Sequence, residues 1–203
     1  MTRLVVASAN PGKLREFAAL LAPFALEPVP QAALGITSVA ETGTTFEANA
    51  LLKARHAAAC AHLPALADDS GLEVDALGGA PGVYSARYAG ATASDVDNLA
   101  RLLRALVGVP ESARTARYQC VIAFVRGGED PQPLLARGTW EGRIASAAAG
   151  TGGFGYDPVF VPAQESCTAA QLGAARKNLL SHRGQALRAL IAQLPGAGYS
   201  PAP

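Results

Sequence analysis

LVVASANPGKLREF, residues Leu4 to Phe17, decides how the 203-residue chain begins to fold. Four apolar residues, Leu4 to Ala7, predict a short buried strand, and Leu14, Phe17 and Leu21 recur at helical spacing behind a turn. Asn10 is suited to cap that helix and Pro11 to occupy its first position, where an N–H would lack a helical partner anyway. The turn nearly spells a P-loop. That pattern needs a glycine five residues before the glycine-lysine pair and a Ser or Thr after the lysine. Here those positions are Ala7 and Leu14, so the Walker reading fails at both. What remains is strand, turn and helix, with unpaired first-turn N–H groups and Lys13 aimed at whatever occupies the strand's end. Taken alone, the segment reads first as an ordinary strand-to-helix connection with a solvated lysine.

Working outward, Thr44 and Glu47 in ETGTTFEANALLKARHAAA predict a capping box and a helix to about Ala61. A buried strand around Leu66 and Ala67 runs into Asp68 and Asp69, where Ser70 and Gly71 predict a turn. Strand alternation would send one carboxylate inward and the other out. A third helix is expected from Ser94 to Leu106, with Val96, Leu99, Leu102, Leu103 and Leu106 as its apolar face. Arg117 to Val125 and LLARGTWEGRI predict a hairpin around GGEDPQP, and GTGGFGYDPVF a glycine-rich turn ending in a strand. Thr168 and Gln171 are a second capping-box pair, opening a helical end whose last stripe is Leu187, Leu190, Ile191 and Leu194. Pro195 to Pro203 is a Pro/Gly-rich tail expected to fray. Strands and helices that alternate, with a hairpin inserted later, predict an α/β domain with a mixed sheet.

Composition bounds the function. Seventeen basic and 16 acidic residues leave a net charge of +1, so the chain has no electrostatic footprint for nucleic acid or an anionic membrane, and any anion must be held by local geometry. Cys60, Cys120 and Cys167 are odd in number and widely spaced, which argues against a disulfide framework or a zinc site and fits a reducing compartment. The first apolar run is too short for a signal peptide and no stretch approaches the roughly 18 apolar residues of a span, so a cytoplasmic protein is expected. Lysine is used only at Lys13, Lys53 and Lys177, arginine carrying the rest of the positive charge; a compact ammonium is wanted at those points.

Three further segments carry candidate chemistry. Asp68 and Asp69 at a strand end suit magnesium, a hard ion that takes oxygen ligands and is usually shared with substrate phosphates, although a lone pair of aspartates in a turn is more often solvated. In GTGGFGYDPVF, four glycines in six residues let backbone approach a ligand. Phe154 or Tyr156 could stack on a nucleobase while Asp157 accepts from its edge, or the loop could simply cap the core. KNLLSHRGQAL gathers Lys177, Ser181, His182 and Arg183, either as ligand donors or as a helix cap flanked by cations. Together these donor-rich element ends describe a nucleoside triphosphate and its metal.

In this order, SANPGKLREF, ETGTTFEANALLKA, ADDSGLEVDALGGAPGVYSARYAG, GTGGFGYDPVF and KNLLSHRGQAL resemble the inosine/xanthosine triphosphate pyrophosphatases, the Ham1-like family, over nearly the whole chain. The resemblance implies an α/β fold with an elongated mixed sheet flanked by helices, in two lobes with the active-site cleft between them. Residues 1–195 would form that domain and 196–203 the tail. It also implies a homodimer that uses Mg2+ to cleave dITP, ITP or XTP to the monophosphate and pyrophosphate. On the match, Asp69 is the catalytic base and a metal ligand, with Glu41 as second ligand. Ser8, Ala9, Asn10, Pro11, Gly12 and Lys13 bind substrate, Lys13 on the phosphates, and Ser70 is a further contact. Phe154, Gly155, Tyr156 and Asp157 match the base and sugar site; Lys177, His182 and Arg183 match additional contacts. The family often has a second acid where this chain has Ala40, and is acidic before Lys177 where Gln171 and Arg176 stand, a difference expected to alter surface charge rather than chemistry. A 6-oxo purine would offer an acceptor to backbone N–H or to Arg183. The competing readings are a Maf-like pyrophosphatase for other nucleotides and a non-catalytic nucleotide sensor or RNA-binding module, the RNA case being opposed by the neutral charge balance.

Overall fold

The apolar alternation at the N-terminus continues into a sheet covered on two sides. The structure is a computed structural model that describes residues 2–24 and 26–199. Its elements are β1 (Thr2–Val6), α1 (Pro11–Leu21), β2 (Leu26–Pro30), α2 (Phe46–Ala61), β3 (Ala65–Val74), α3 (Asp95–Ala105), β4 (Thr115–Val125), β5 (Leu134–Ile144), β6 (Phe160–Pro162), α4 (Ala174–Leu180) and α5 (His182–Gln193). The sheet order is β2-β1-β3-β4-β5-β6. β1 runs parallel to β2 and β3, whereas β6 runs antiparallel to β5, so the sheet is mixed and the fold is α/β, as expected. No described helix is long and apolar enough to cross a membrane.

The chain divides into two compact units, the first comprising residues 1–69, 120–138 and 183–203, the second 70–119 and 139–182. In the first, alternate strand residues serve opposite faces. Leu4, Val6, Leu66, Ile122 and Phe124 pack with Phe17 and Leu21 of α1 and Leu187 and Leu190 of α5. Val5, Ala65, Ala67, Val121 and Ala123 pack instead with Ala50, Ala54, Ala57 and Ala58, a small-residue stripe that lets α2 lie close to the sheet. The second unit has its own core, in which Leu72, Val74, Leu102, Leu106, Tyr118, Trp140 and Phe160 are buried together.

Several local expectations change. β3 does not end at the aspartates: Leu72 and Val74 extend the buried alternation past Gly71, and the Leu72 N–H is taken by Ser85 Oγ at 2.8 Å, so strand burial overrides the turn propensity of DDSG. Both carboxylates are consequently buried rather than one, because helices cover each face of the sheet in the first unit. The cap of α2 is Thr45, not Thr44; its Oγ1 accepts from Ala48 N–H at 3.1 Å, and Glu47 pairs with Arg137 instead of closing a box. Thr168 and Gln171 do make both capping-box bonds, yet around a 3-10 turn of three residues (Ala169–Gln171) rather than a helix. Val96 is 74% exposed, so of the expected apolar face of α3 Leu102 is fully buried, Leu99 and Leu103 pack half-buried against the same core, and Leu106 joins it from the C-cap. Leu194–Ala197 forms a further 3-10 turn and Tyr199 packs edge-on against Phe124, which orders that part of the Pro/Gly tail; residues 200–203 lie outside the described residues.

Candidate active site

In the first unit the chemistry gathers around Asp68 and Asp69 at the middle of β3. Asp68 continues the Leu66 face, toward α1 and α5, and Asp69 continues the Ala65–Ala67 face, toward α2. Asp68 Oδ2 accepts from Lys13 Nζ at 2.8 Å and from Arg183 Nε and Nη2 at 3.2 and 3.3 Å, and Arg183 Nη1 also donates to Glu16. Burial disfavours the charged carboxylate, but the Lys13, Arg183 and Lys53 cations outweigh it and hold Asp68 well below the usual carboxylate range. For Arg183, burial works against the charge while Asp68 and Glu16 raise its pKa further.

Asp69 has a different neighbourhood. Its Oδ1 accepts from Lys53 Nζ at 2.8 Å and its Oδ2 from Asn49 Nδ2 at 3.2 Å. The same Lys53 ammonium donates to Glu41 Oε1 at 2.7 Å, so two carboxylates flank one cation. Asn49 also accepts from the Gly43 N–H at 2.8 Å, which seats the loop carrying Glu41 on the start of α2. A Cβ at Gly43 would lie 2.7 Å from Asn49 Oδ1 and 2.8 Å from Ala48 Cβ, so the approach requires glycine. Burial pushes the Asp69 carboxyl up, against the pull of Lys53; burial likewise opposes the Lys53 charge, but Asp69, Asp68 and Glu41 raise its pKa overall.

The turn from Ser8 to Lys13 is closed by its own side chains. Ser8 Oγ accepts from Asn10 N–H at 3.1 Å, and Asn10 Oδ1 accepts from Gly12 and Lys13 N–H at 2.8 and 3.3 Å. The expectation of unpaired N–H groups at the start of α1 is therefore corrected: Asn10 caps them, and the basic group left to reach an anion is the Lys13 ammonium on Asp68. Ala9 and Pro11 lie in the same turn.

In the second unit, Ser70 follows Asp69 along β3, and a separate group forms around Asp157. Its Oδ2 accepts from Lys177 Nζ at 2.7 Å and from Phe154 N–H at 2.8 Å, with Lys177 Nζ lying 4.7 Å from the Phe154 ring centroid. A Cβ at Gly153 would run into the Asp157 carboxylate. Gly155, at φ +62°, donates its N–H to Asp95 Oδ2. Tyr156 is 3% exposed and its hydroxyl donates to Ser85 O at 2.8 Å, so its ring belongs to the core, whereas Phe154 is half-buried. His182 is buried, its ring stacked on Tyr118 with centroids 4.6 Å apart. Ser181 ends α4, its N–H on Lys177 O. Arg176 pairs with Glu165 at the surface.

Sequence reasoning missed Asn49 and Glu16, noted Lys53 as one of three lysines without giving it a place in the site, and gave Asp68 a part only in the acidic pair. The signals were present: Lys53 is one of three lysines, four residues after Asn49 on a helix whose inward stripe is alanine. Among the described residues no three His, Cys, Asp or Glu side chains gather around one point.

The comparisons with known proteins agree with this arrangement of motifs. A family model described as the Ham1 family matches residues 4–193. The chain is 56% identical to a dITP/XTP pyrophosphatase of Vibrio parahaemolyticus over 96% of this chain and 97% of that one, and 54% identical to one of Photorhabdus laumondii over 97% and 100%. Among solved structures, it superposes on a HAM1 protein from Coxiella burnetii with a TM-score of 0.89 at 46% identity, covering 97% and 100% of the two chains. A dITP/XTP pyrophosphatase from Mycobacterium abscessus gives 0.74 at 43% identity over 95% and 99%. The chain belongs to the Ham1 family.

Proposed function

We propose that the protein hydrolyses deaminated purine nucleoside triphosphates, dITP, ITP and XTP, to the monophosphate and pyrophosphate, and so keeps these bases out of DNA and RNA. The observation that carries the reading is Asp69: a carboxylate buried on the α2 face of β3, oriented through both oxygens by Lys53 and Asn49, with its proton affinity raised by burial. A base of that kind is suited to take a proton from a water positioned for attack on the α-phosphorus, with pyrophosphate leaving. Lys13 binds the phosphates, held ready by Asp68. Ser8 to Lys13 and Ser70 frame the substrate; Phe154, Gly155, Tyr156 and Asp157 serve base and sugar, with Lys177, His182 and Arg183 as further contacts. Because the Arg183 guanidinium faces Asp68 and Glu16, and the Phe154, Gly155 and Asp157 N–H groups are taken by Asp157, Asp95 and Phe154 O, the 6-oxo acceptor is better matched by the Tyr156 N–H.

Mg2+ is the cofactor of this reading, and Asp69 with Glu41 would hold it. The donor set fits: the two carboxylates already flank the Lys53 ammonium, oxygen donors suit a hard cation, and magnesium commonly takes one or two carboxylates together with substrate phosphates. When bound, the ion supplies charge neutralisation on the phosphates. The protein acts as a cytoplasmic homodimer on free nucleotides.

The test is pyrophosphate release from a panel of dITP, ITP, XTP, dGTP and modified pyrimidine nucleotides with Mg2+. Release confined to the deaminated purines supports the reading. Binding without release would make the protein a sensor, and preference for modified pyrimidines a Maf-like enzyme.

A further inference from the structure

Gly150, Gly152, Gly153 and Gly155 give the segment before Asp157 little backbone preference of its own, so its shape has to be imposed by side chains. Asp157 and Tyr156 supply two restraints, through Lys177 and Ser85. A third comes from the first residue of α3: Asp95 Oδ2 accepts the Gly155 N–H at 2.7 Å. This carboxylate is not occupied in capping its own helix. That task falls to the Ser94 and Asp97 box, in which Ser94 Oγ accepts from Asp97 N–H at 3.2 Å and the Asp97 carboxylate accepts from Ser94 N–H at 2.9 Å. The start of α3 is also tied to the segment that bears Ser85. Asn98 accepts from Ala89 N–H at 2.7 Å and donates to Ala86 O at 3.1 Å. Asp95 therefore reaches Gly155 from an anchored base, and Tyr156 closes the connection on Ser85 from the other side.

We propose that Asp95 is a positioning residue for nucleobase recognition, fixing the Phe154–Asp157 segment through the Gly155 amide. The inference rests on reading that segment as the base-binding part of the site. With the Gly155 N–H fixed, the adjacent Tyr156 N–H and the Phe154 ring are set before substrate arrives, and the cost of ordering a glycine-rich loop does not fall on binding. The effect belongs to KM and to discrimination between purines, since Asp95 touches none of the groups around Asp69.

The experiment compares Asp95→Ala, Asp95→Asn and Asp97→Ala with the wild type in steady-state hydrolysis of dITP and dGTP and in thermal unfolding. Asp95→Ala should raise KM for dITP roughly five- to tenfold with little change in kcat, and narrow the preference for dITP over dGTP. Asp95→Asn, which keeps an acceptor oxygen, should restore most of the lost KM. Asp97→Ala breaks the capping box in the same turn without touching the loop, so it should lower Tm and leave KM unchanged. Amide exchange at Gly155 should quicken in Asp95→Ala only. An unchanged KM in Asp95→Ala, or an equal rise in Asp97→Ala, overturns the inference and reduces Asp95 to helix support. A wild type inactive on all deaminated purines would instead overturn the functional reading.

Discussion

Asp68 and Asp69 are consecutive on β3 and both are buried, yet they face different partners. Asp68 meets two cations, Lys13 and Arg183, across the face shared with α1 and α5. Asp69 meets one, Lys53, which it shares with Glu41 on the α2 face. Burial disfavours ionisation of both. Lys13 and Arg183, with Lys53 beyond them, more than offset it at Asp68, so that carboxylate is held in its charged form; at Asp69 the shared Lys53 does not offset burial and the neighbouring Glu41 charge, so that carboxylate keeps affinity for a proton. The lesson is that depth does not assign the role of a buried acid, whereas the count and commitment of facing cations does. In the proposed reaction Asp68 would position Lys13 and Asp69 would act as the base.

Breaking the first half of that contrast should have the largest effect. Asp68→Asn leaves a buried guanidinium and the Lys13 ammonium short of their countercharge, and removing one member of a buried ionic group costs about 3–5 kcal/mol. Urea unfolding should show that loss with an unchanged m-value; a loss below about 1 kcal/mol would mean that Asp68 is not the electrostatic anchor described. Asp69→Asn breaks the other half and should do the reverse. Shape and the Asn49 contact are retained while the base is removed, so turnover should fall roughly 10²-fold or more with the unfolding midpoint little moved. Near-normal turnover would remove Asp69 from its role.

Gly43→Ala sharpens the contrast by loosening the Asp69 side alone. The added methyl meets Asn49 Oδ1 and Ala48 Cβ, and forcing it in should cost about 1–3 kcal/mol and displace the loop that carries Glu41. Turnover should drop with stability, while the Lys13–Asp68 pair, on the other face, stays intact. Equal stability in the variant would show that the loop yields without strain.

Much of this was legible in the sequence wherever one local rule acted alone. Asn10 and Pro11 begin α1 as their chemistry dictates, and Phe17 and Leu21 pack as their spacing predicts. The readings that failed lie where a long-range demand overrode a local one. DDSG has turn propensity, but the strand continues because Leu72 and Val74 are needed in the second core. The first-turn amides of α1 are capped because the Asn10 side chain, two and three residues before them, reaches back to accept both. Lys53 stood out only as one of three lysines and received no site role, because a helical lysine is ordinarily solvated; only the fold reveals that Glu41, 12 residues earlier, and Asp69, 16 residues later, converge on it. Side-chain convergence across elements has no periodicity, so neither spacing nor propensity could announce it.

The smallest and most discriminating effect is in pH. Asp68 has a folded-state pKa below the ordinary value of about 3.9, so the stability it contributes is complete above that pH and is lost only as pH falls through the depressed folded value. Asp69 has a folded-state pKa above the ordinary value, so the base form that catalysis needs is depleted at a pH where Asp68 is still fully ionised. Acidification from neutrality should therefore lower kcat/KM first, with unfolding free energy following only at more acidic pH. Asp68→Asn should flatten the acid dependence of stability while leaving the acid limb of activity in place. If activity and stability instead fell together, the two carboxylates would be titrating as one group, and the separation of their roles across the faces of β3 would be wrong.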